Sequence, residues 1–361
     1  MSKSRRIMDN LLHQGVLLLK HAESAALALE VYPTKRSWLA FFNNASLIIG
    51  MVALVLSLMF FIAYNWLHMG KICKFALVEG ALVITIIVYA YLAFIRKFKF
   101  IQQLLLLVAS IITGSLLALF GQVYQTGADT WQLFFAWACL IIPWVMIARM
   151  PALWLLWLGL INAFILSYSD ILLYLNAPAF IATNYFYQDS IQIAILALFN
   201  FIALNLWLVS IDRAPKTAPH TAKPKLHWST YVVGLLSTYL MTYLAILHIF
   251  NPMSINTSDV NTITVPITIG SVLLWAGWGG FMFWRFYKRQ LDVLMLTYLC
   301  GSAIAVVMFW AGKWLLQGDN ALSYLMSAML LIATSSIAVI WLRGLANKDS
   351  DARLIARGDY E

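Results

Sequence analysis

The run GQVYQTGADTWQ, Gly121–Gln132, sets three glutamines, two threonines, a tyrosine and an aspartate between two stretches that are almost wholly apolar. Amides, hydroxyls and a carboxylate in one place can hydrogen-bond a small polar solute, hold a cation or move a proton. A second carboxylate, Glu79 in LVEGALV, falls about one helical turn inside the end of a neighbouring apolar segment. An ionisable residue within a span is costly, so its presence points to function. Two carboxylates at one depth can also divide into an acid and a base. Glu79, Gln122, Tyr124, Gln125, Thr126 and Asp129 are therefore the candidate polar pocket, with Asn65 as a further neighbour. Gly121 and Gly127 would permit the tight backbone that brings them together, and Trp131 would anchor the next span at the headgroup level. A specific structural turn is the competing reading. In it Glu79 only reaches interfacial water or Lys74.

The elements that must position these residues are read from composition. Of 361 residues, 62% are apolar and 11% charged, too few polar groups to cover a soluble domain of this size. A bilayer core about 30 Å thick takes about 20 apolar residues as helix. Ten segments qualify: Ser46–Leu67, Phe75–Ile95, Ile101–Phe120, Trp131–Ala148, Pro151–Tyr168, Ile191–Ile211, Ser229–Phe250, Val265–Trp284, Leu291–Ala311 and Ala321–Leu342. They are continuously apolar and lack the alternation of a membrane barrel, which predicts an all-α, polytopic membrane helix bundle. In the third segment Ser110, Gly114 and Ala118 are four residues apart, a spacing that lets helices approach closely. One further step reaches Gln122, so this face carries the polar run toward the bundle.

The net charge of +9 could suggest nucleic acid, but its distribution says otherwise. With the N-terminus in the cytoplasm, 21 of the 24 Lys and Arg fall in inward segments, and only Lys71, Lys74 and Lys313 fall outside. Retention of positive charge inside orients membrane proteins, so both termini are expected in the cytoplasm. Membrane lipids are the expected contacts of the excess charge, and nucleic acid is not. Cys73, Cys139 and Cys300 have no metal-ligand spacing, the six histidines are scattered, and no nucleotide, dinucleotide, zinc-protease or nucleophile-elbow motif is present. The sequence thus assigns no catalytic residue, no metal ligand and no cofactor.

Residues 1–40 read as a cytoplasmic helical hairpin, 41–211 as spans one to six, 212–228 as a basic linker, 229–343 as spans seven to ten, and 344–361 as a cytoplasmic tail. The linker, DRAPKTAPHTAKPK, has proline and lysine without an apolar face. An eleventh span at SDILLYLNAPAFIATNYFYQDS would move the basic loop outside, so this stretch reads as an interfacial or re-entrant piece.

Two of these stretches carry a family resemblance. FFIAYNW, Phe60–Trp66, and GQVYQTGADTWQLFFAWACLIIPW, Gly121–Trp144, together with the helical N-terminal segment, resemble domain-of-unknown-function family 2157 of predicted bacterial membrane proteins. The resemblance covers roughly residues 10–150 and implies class and location, with no reaction attached. It also implies a possible partner, a small protein named for a Gly-Asp-Tyr motif whose gene often lies beside those of the family.

Three functions remain open from the sequence. The first is a binding or assembly component of a membrane complex with an outward polar pocket. The second is a transporter of a small solute or ion, although most spans lack an ionisable residue at the midplane where carriers place their sites. The third is an enzyme acting on a lipid or glycan carrier at the outer face, although the outward loops contain no arginine.

Overall fold

The computed structural model describes residue 24 and residues 35–65, 67–95, 98–176, 185–213, 226–249, 258–315 and 321–358. Most of the segment 1–40 read as an N-terminal hairpin, and most of the basic linker, lie outside them. Among the described residues the chain is helical throughout and has no strand. The helices are α1 (Lys35–Tyr64), α2 (Lys71–Ile95), α3 (Lys99–Tyr124), α4 (Thr130–Ala148) and α5 (Pro151–Asn176), then α6 (Tyr185–Arg213), α7 (Trp228–Ile249), α8 (Ser258–Phe283), α9 (Val293–Leu315) and α10 (Ala321–Gly358). Each of the ten apolar segments lies mostly within one of them. Lipid offers backbone groups no hydrogen-bond partner, so a spanning segment must satisfy them within itself, as a helix does. Nine of the helices are long and apolar enough to cross a membrane, counted over the described residues. The tenth, α8, holds most of the apolar segment Val265–Trp284. The chain is a polytopic helical membrane protein.

Several helices outrun their apolar segments. α1 starts at Lys35, α5 runs on to Asn176, and α10 reaches Gly358, well into the expected tail. Hydropathy marks only the part that lies in lipid. Nothing in it stops a helix at the headgroups.

The fold divides into two compact units, Met1–Ala128 with Cys139–Met150 and Asp129–Ala138 with Pro151–Glu361. In the first, α3 packs against α2 and α1 and is the most buried of its helices. Its inward face carries Leu106, Ala109, Ser110, Ile112, Thr113 and Gly114. The Ser110 and Thr113 hydroxyls donate to the carbonyls of Leu106 and Ala109 one turn back, which hides them from the packed surface.

In the second unit, α7 is the central helix and packs against α6, α8 and α9. Its buried face repeats a small or hydroxyl residue every four positions: Thr230, Gly234, Thr238 and Thr242. That spacing brings helix axes close together. At Gly234 the approach is so tight that a β-carbon would lie 2.8 Å from the Sδ of Met295 on α9. Around this seam Trp278, Met282, Phe286, Met295 and Leu296 are fully enclosed.

α8 does not end at Phe283 but widens into a π-helical turn, Trp284–Arg289. Its extra residue per turn is seen where the amide of Gln290 donates to the carbonyl of Arg285 at 3.1 Å. The wider turn rotates Arg285 inward, to 3% exposure.

Candidate functional site

The polar run begins inside α3, which continues to Tyr124. Gly121 is therefore a helical residue, and the turn is made further along by Gln125 and Gly127, both left-handed at φ 46° and 62°. Gln125 holds the position that ends α3. Glycine adopts this conformation at little cost, whereas a residue with a β-carbon does not.

The face that packs inward ends before the polar groups. Ser110 and Gly114 are buried and Ala118 is half-buried, but Gln122 is exposed. Gln125, Thr126 and Glu79 are exposed too. Tyr124 joins an aromatic cluster across the ends of α2 and α3, with ring centroids 4.8 Å from Phe120 and 5.7 Å from Phe75. Lys71 stands 5.8 Å over the tyrosine ring, within cation–π range. Asn65 is spent on the end of α1, where its amide donates to the carbonyl of Phe61 at 2.9 Å.

Asp129 and Trp131 belong to the second unit. Asp129 is exposed and precedes α4; its carboxylate accepts the Trp131 indole N–H at 3.3 Å, and its carbonyl accepts the amide of Gln132. The Trp131 ring packs on Tyr168 and Phe164 of α5. The structure thus gives the first unit a polar helix end that is exposed around an aromatic patch, and it gives α4 an acidic entry.

Residues 13–154 match the family model described as predicted membrane protein, DUF2157. The matched segment contains α1 to α4 and the whole polar run, and it ends as α5 begins. No curated protein and no solved structure matches the chain.

Beyond the matched segment lies a further set of buried polar groups, which no sequence motif marked as a site. On α7, the Thr242 hydroxyl donates to the carbonyl of Thr238 at 2.6 Å. With its one proton so placed, Thr242 must accept from Ser302 of α9, 2.6 Å away. Ser302 in turn accepts the indole N–H of Trp275 from α8 at 3.0 Å. One hydroxyl therefore ties three helices together.

Toward the other end of α7, His248 lies 3.0 Å from the hydroxyl of Ser271 on α8. Although it lies in the last turn of its helix, this histidine is buried at 6% exposure. An imidazole nitrogen beside a serine hydroxyl is the geometry of a base and its nucleophile. Both groups sit inside the packed seam, where their bond ties α7 to α8.

Two more contacts close the basic end of this unit. Arg285 donates to both carboxylate oxygens of Asp212 on α6, at 2.9 and 3.0 Å. Asp292 caps α9 by accepting the amide of Met295, and its other oxygen accepts the Tyr231 hydroxyl from α7 at 2.9 Å. Asn162 and Asn200 bond each other between α5 and α6. Asn205 donates to Phe201 of its own helix. The repeat Thr230, Gly234, Thr238, Thr242 was the one sequence signal that could have marked the seam, by the reasoning applied to Ser110, Gly114 and Ala118.

Proposed function

We propose that the protein is a binding or assembly component of a bacterial inner-membrane complex, with both termini in the cytoplasm. It presents the polar end of α3 and the turn after it to a partner on the outer side. One observation carries this reading. Gln122, Tyr124, Gln125 and Thr126 stand exposed at a helix end, whereas polar side chains inside the spans are largely engaged with one another or with their own helix. An exposed amide-rich helix end beside aromatic rings is a surface that can dock a protein. A small protein of the Gly-Asp-Tyr type is the first candidate.

Photo-crosslinking residues placed at 122, 125 and 126 in intact cells would capture such a partner. Alanine at Gln122, Gln125 and Thr126 together should abolish capture from a neighbouring probe position while changing stability by no more than about 0.5 kcal/mol each, as at exposed sites. A stability loss of about 1–3 kcal/mol would instead mean a buried network. Adducts with lipid alone at all three positions would remove the docking reading.

The orientation has its own test. The distribution of Lys and Arg predicts that periplasmic reporter fusions at Gly127 and Ser258 are active and that one after Lys223 is silent. The reverse pattern would turn the polar run to the cytoplasm.

Transport of a small solute is the second reading, favoured by the hydroxyl and imidazole groups along α7, α8 and α9. It requires solute uptake by the purified chain in proteoliposomes, and uptake sensitive to Ser302→Ala would move the functional centre from α3 to this seam.

A further inference from the structure

At the basic end of the first unit the structure holds an open groove of about 590 Å³, formed where α2 ends, α3 begins and α4 ends. Two glutamines build it. Gln102 donates to the carbonyl of Leu92 in the last turn of α2 at 2.9 Å, and Gln103 donates to Ala148, the last residue of α4, at 3.0 Å. Each engages a carbonyl that a helix C-terminus leaves without an intrahelical partner.

Lys99 and Arg149 line the groove with Tyr89, and among the described residues no carboxylate does. Both cations are exposed, and neither forms an ion pair among the described residues. Arg149 is left-handed at φ 46°, and so is Phe98 just before Lys99 at φ 59°. Residues with β-carbons disfavour that conformation, so the fold holds both turns in place against a local preference. Met146 and Ile147, also lining the groove, are exposed apolar side chains at 63% and 59%.

We propose that this groove binds the phosphate of an anionic phospholipid, held between Lys99 and Arg149, with acyl chain lying along Met146 and Ile147. The two helix C-termini that meet here would repel an anion, but each carries only about half a charge, and the N-terminus of α3 offsets one of them. Two full positive charges outweigh that remainder. The apolar edge distinguishes a lipid from free phosphate, which would gain nothing from it. This site is separate from the polar end of α3, so it stands or falls independently of the docking reading.

Native mass spectrometry of the full chain, with phosphatidylglycerol and phosphatidylcholine offered together, tests it. The protein should retain phosphatidylglycerol preferentially, and added salt should reduce that preference. Lys99→Gln with Arg149→Gln should lower it about tenfold, whereas Lys99→Arg with Arg149→Lys should keep most of it. Arg149→Gln alone, on an exposed turn, gives a weaker loss in the same direction and serves if the double variant does not fold. Lys288→Gln with Arg289→Gln should leave the preference unchanged. Equal loss from that control would mean a diffuse basic surface. Unchanged retention in the Lys99 and Arg149 variants, or displacement of the lipid by inorganic phosphate at matched ionic strength, would overturn the proposal.

Discussion

Asp212→Asn should lower unfolding stability in mixed micelles by about 3 kcal/mol. The substitution keeps shape and an acceptor oxygen but removes the charge that faces Arg285. The arginine side chain is only 4% accessible, whereas Asp212 retains 27%. A cation this enclosed cannot regain its hydration when its partner is neutralised. Water at the Asp212 edge relieves part of the penalty, which places the value at the low end of the range for broken buried pairs.

The asymmetry makes the prediction specific. Arg285→Met should cost less than Asp212→Asn, because it leaves a partly hydrated carboxylate that still faces Arg289. The double variant Asp212→Asn with Arg285→Met should recover most of the loss. Arg289, 3.7 Å from the same carboxylate and 57% accessible, should tolerate alanine within about 0.5 kcal/mol. If Asp212→Asn proves as mild as Arg289→Ala, Arg285 is not the enclosed cation described, and the inward turn of the π-helical segment has no energetic consequence.

The same pair shows which parts of the structure are legible in sequence. A span declares itself by continuous apolar composition, a local property, so all ten apolar segments map onto helices. The charge pairing is not local. Asp212 and Arg285 are 73 residues apart, and Tyr231 and Asp292 are 61 apart. At the sequence level these charges merely flank the inward loops, where they are indistinguishable from orienting charges. The π turn that swings Arg285 inward has no compositional mark, since WRFYKR reads as an ordinary basic helix end. The polar run was legible as an anomaly because its neighbours are so apolar. Its exposure was not, because a four-residue spacing does not say how far along a helix one face stays covered. Ser110 and Gly114 are buried, but Gln122 on the same face is exposed although α2 still packs on Tyr124 beyond it.

Ser302→Ala should lower stability by about 1–2 kcal/mol, more than a surface serine would, because two partners depend on one hydroxyl. The relay has a fixed direction. Trp275 donates to Ser302, Ser302 to Thr242, and Thr242 to the carbonyl of Thr238. Alanine leaves the indole N–H without its acceptor and Thr242 without its donor, in a seam where Ser302 is 3% exposed. Measured bonds of this kind within membranes average about 0.6 kcal/mol, because the unfolded chain in lipid also finds partners, and this keeps the expected value below that of the ion pair. Trp275→Phe removes the orphaned donor and keeps most of the ring. Combined with Ser302→Ala, it should cost less than the sum of the two single substitutions, by about 0.5 kcal/mol or more in a double-mutant cycle. Thr242→Val should couple to Ser302→Ala in the same way, whereas Thr297→Val, whose hydroxyl bonds only its own helix and is exposed, should add independently. Strict additivity throughout would mean that the three helices are held by packing around Trp278, Met282 and Met295 and that the relay is incidental.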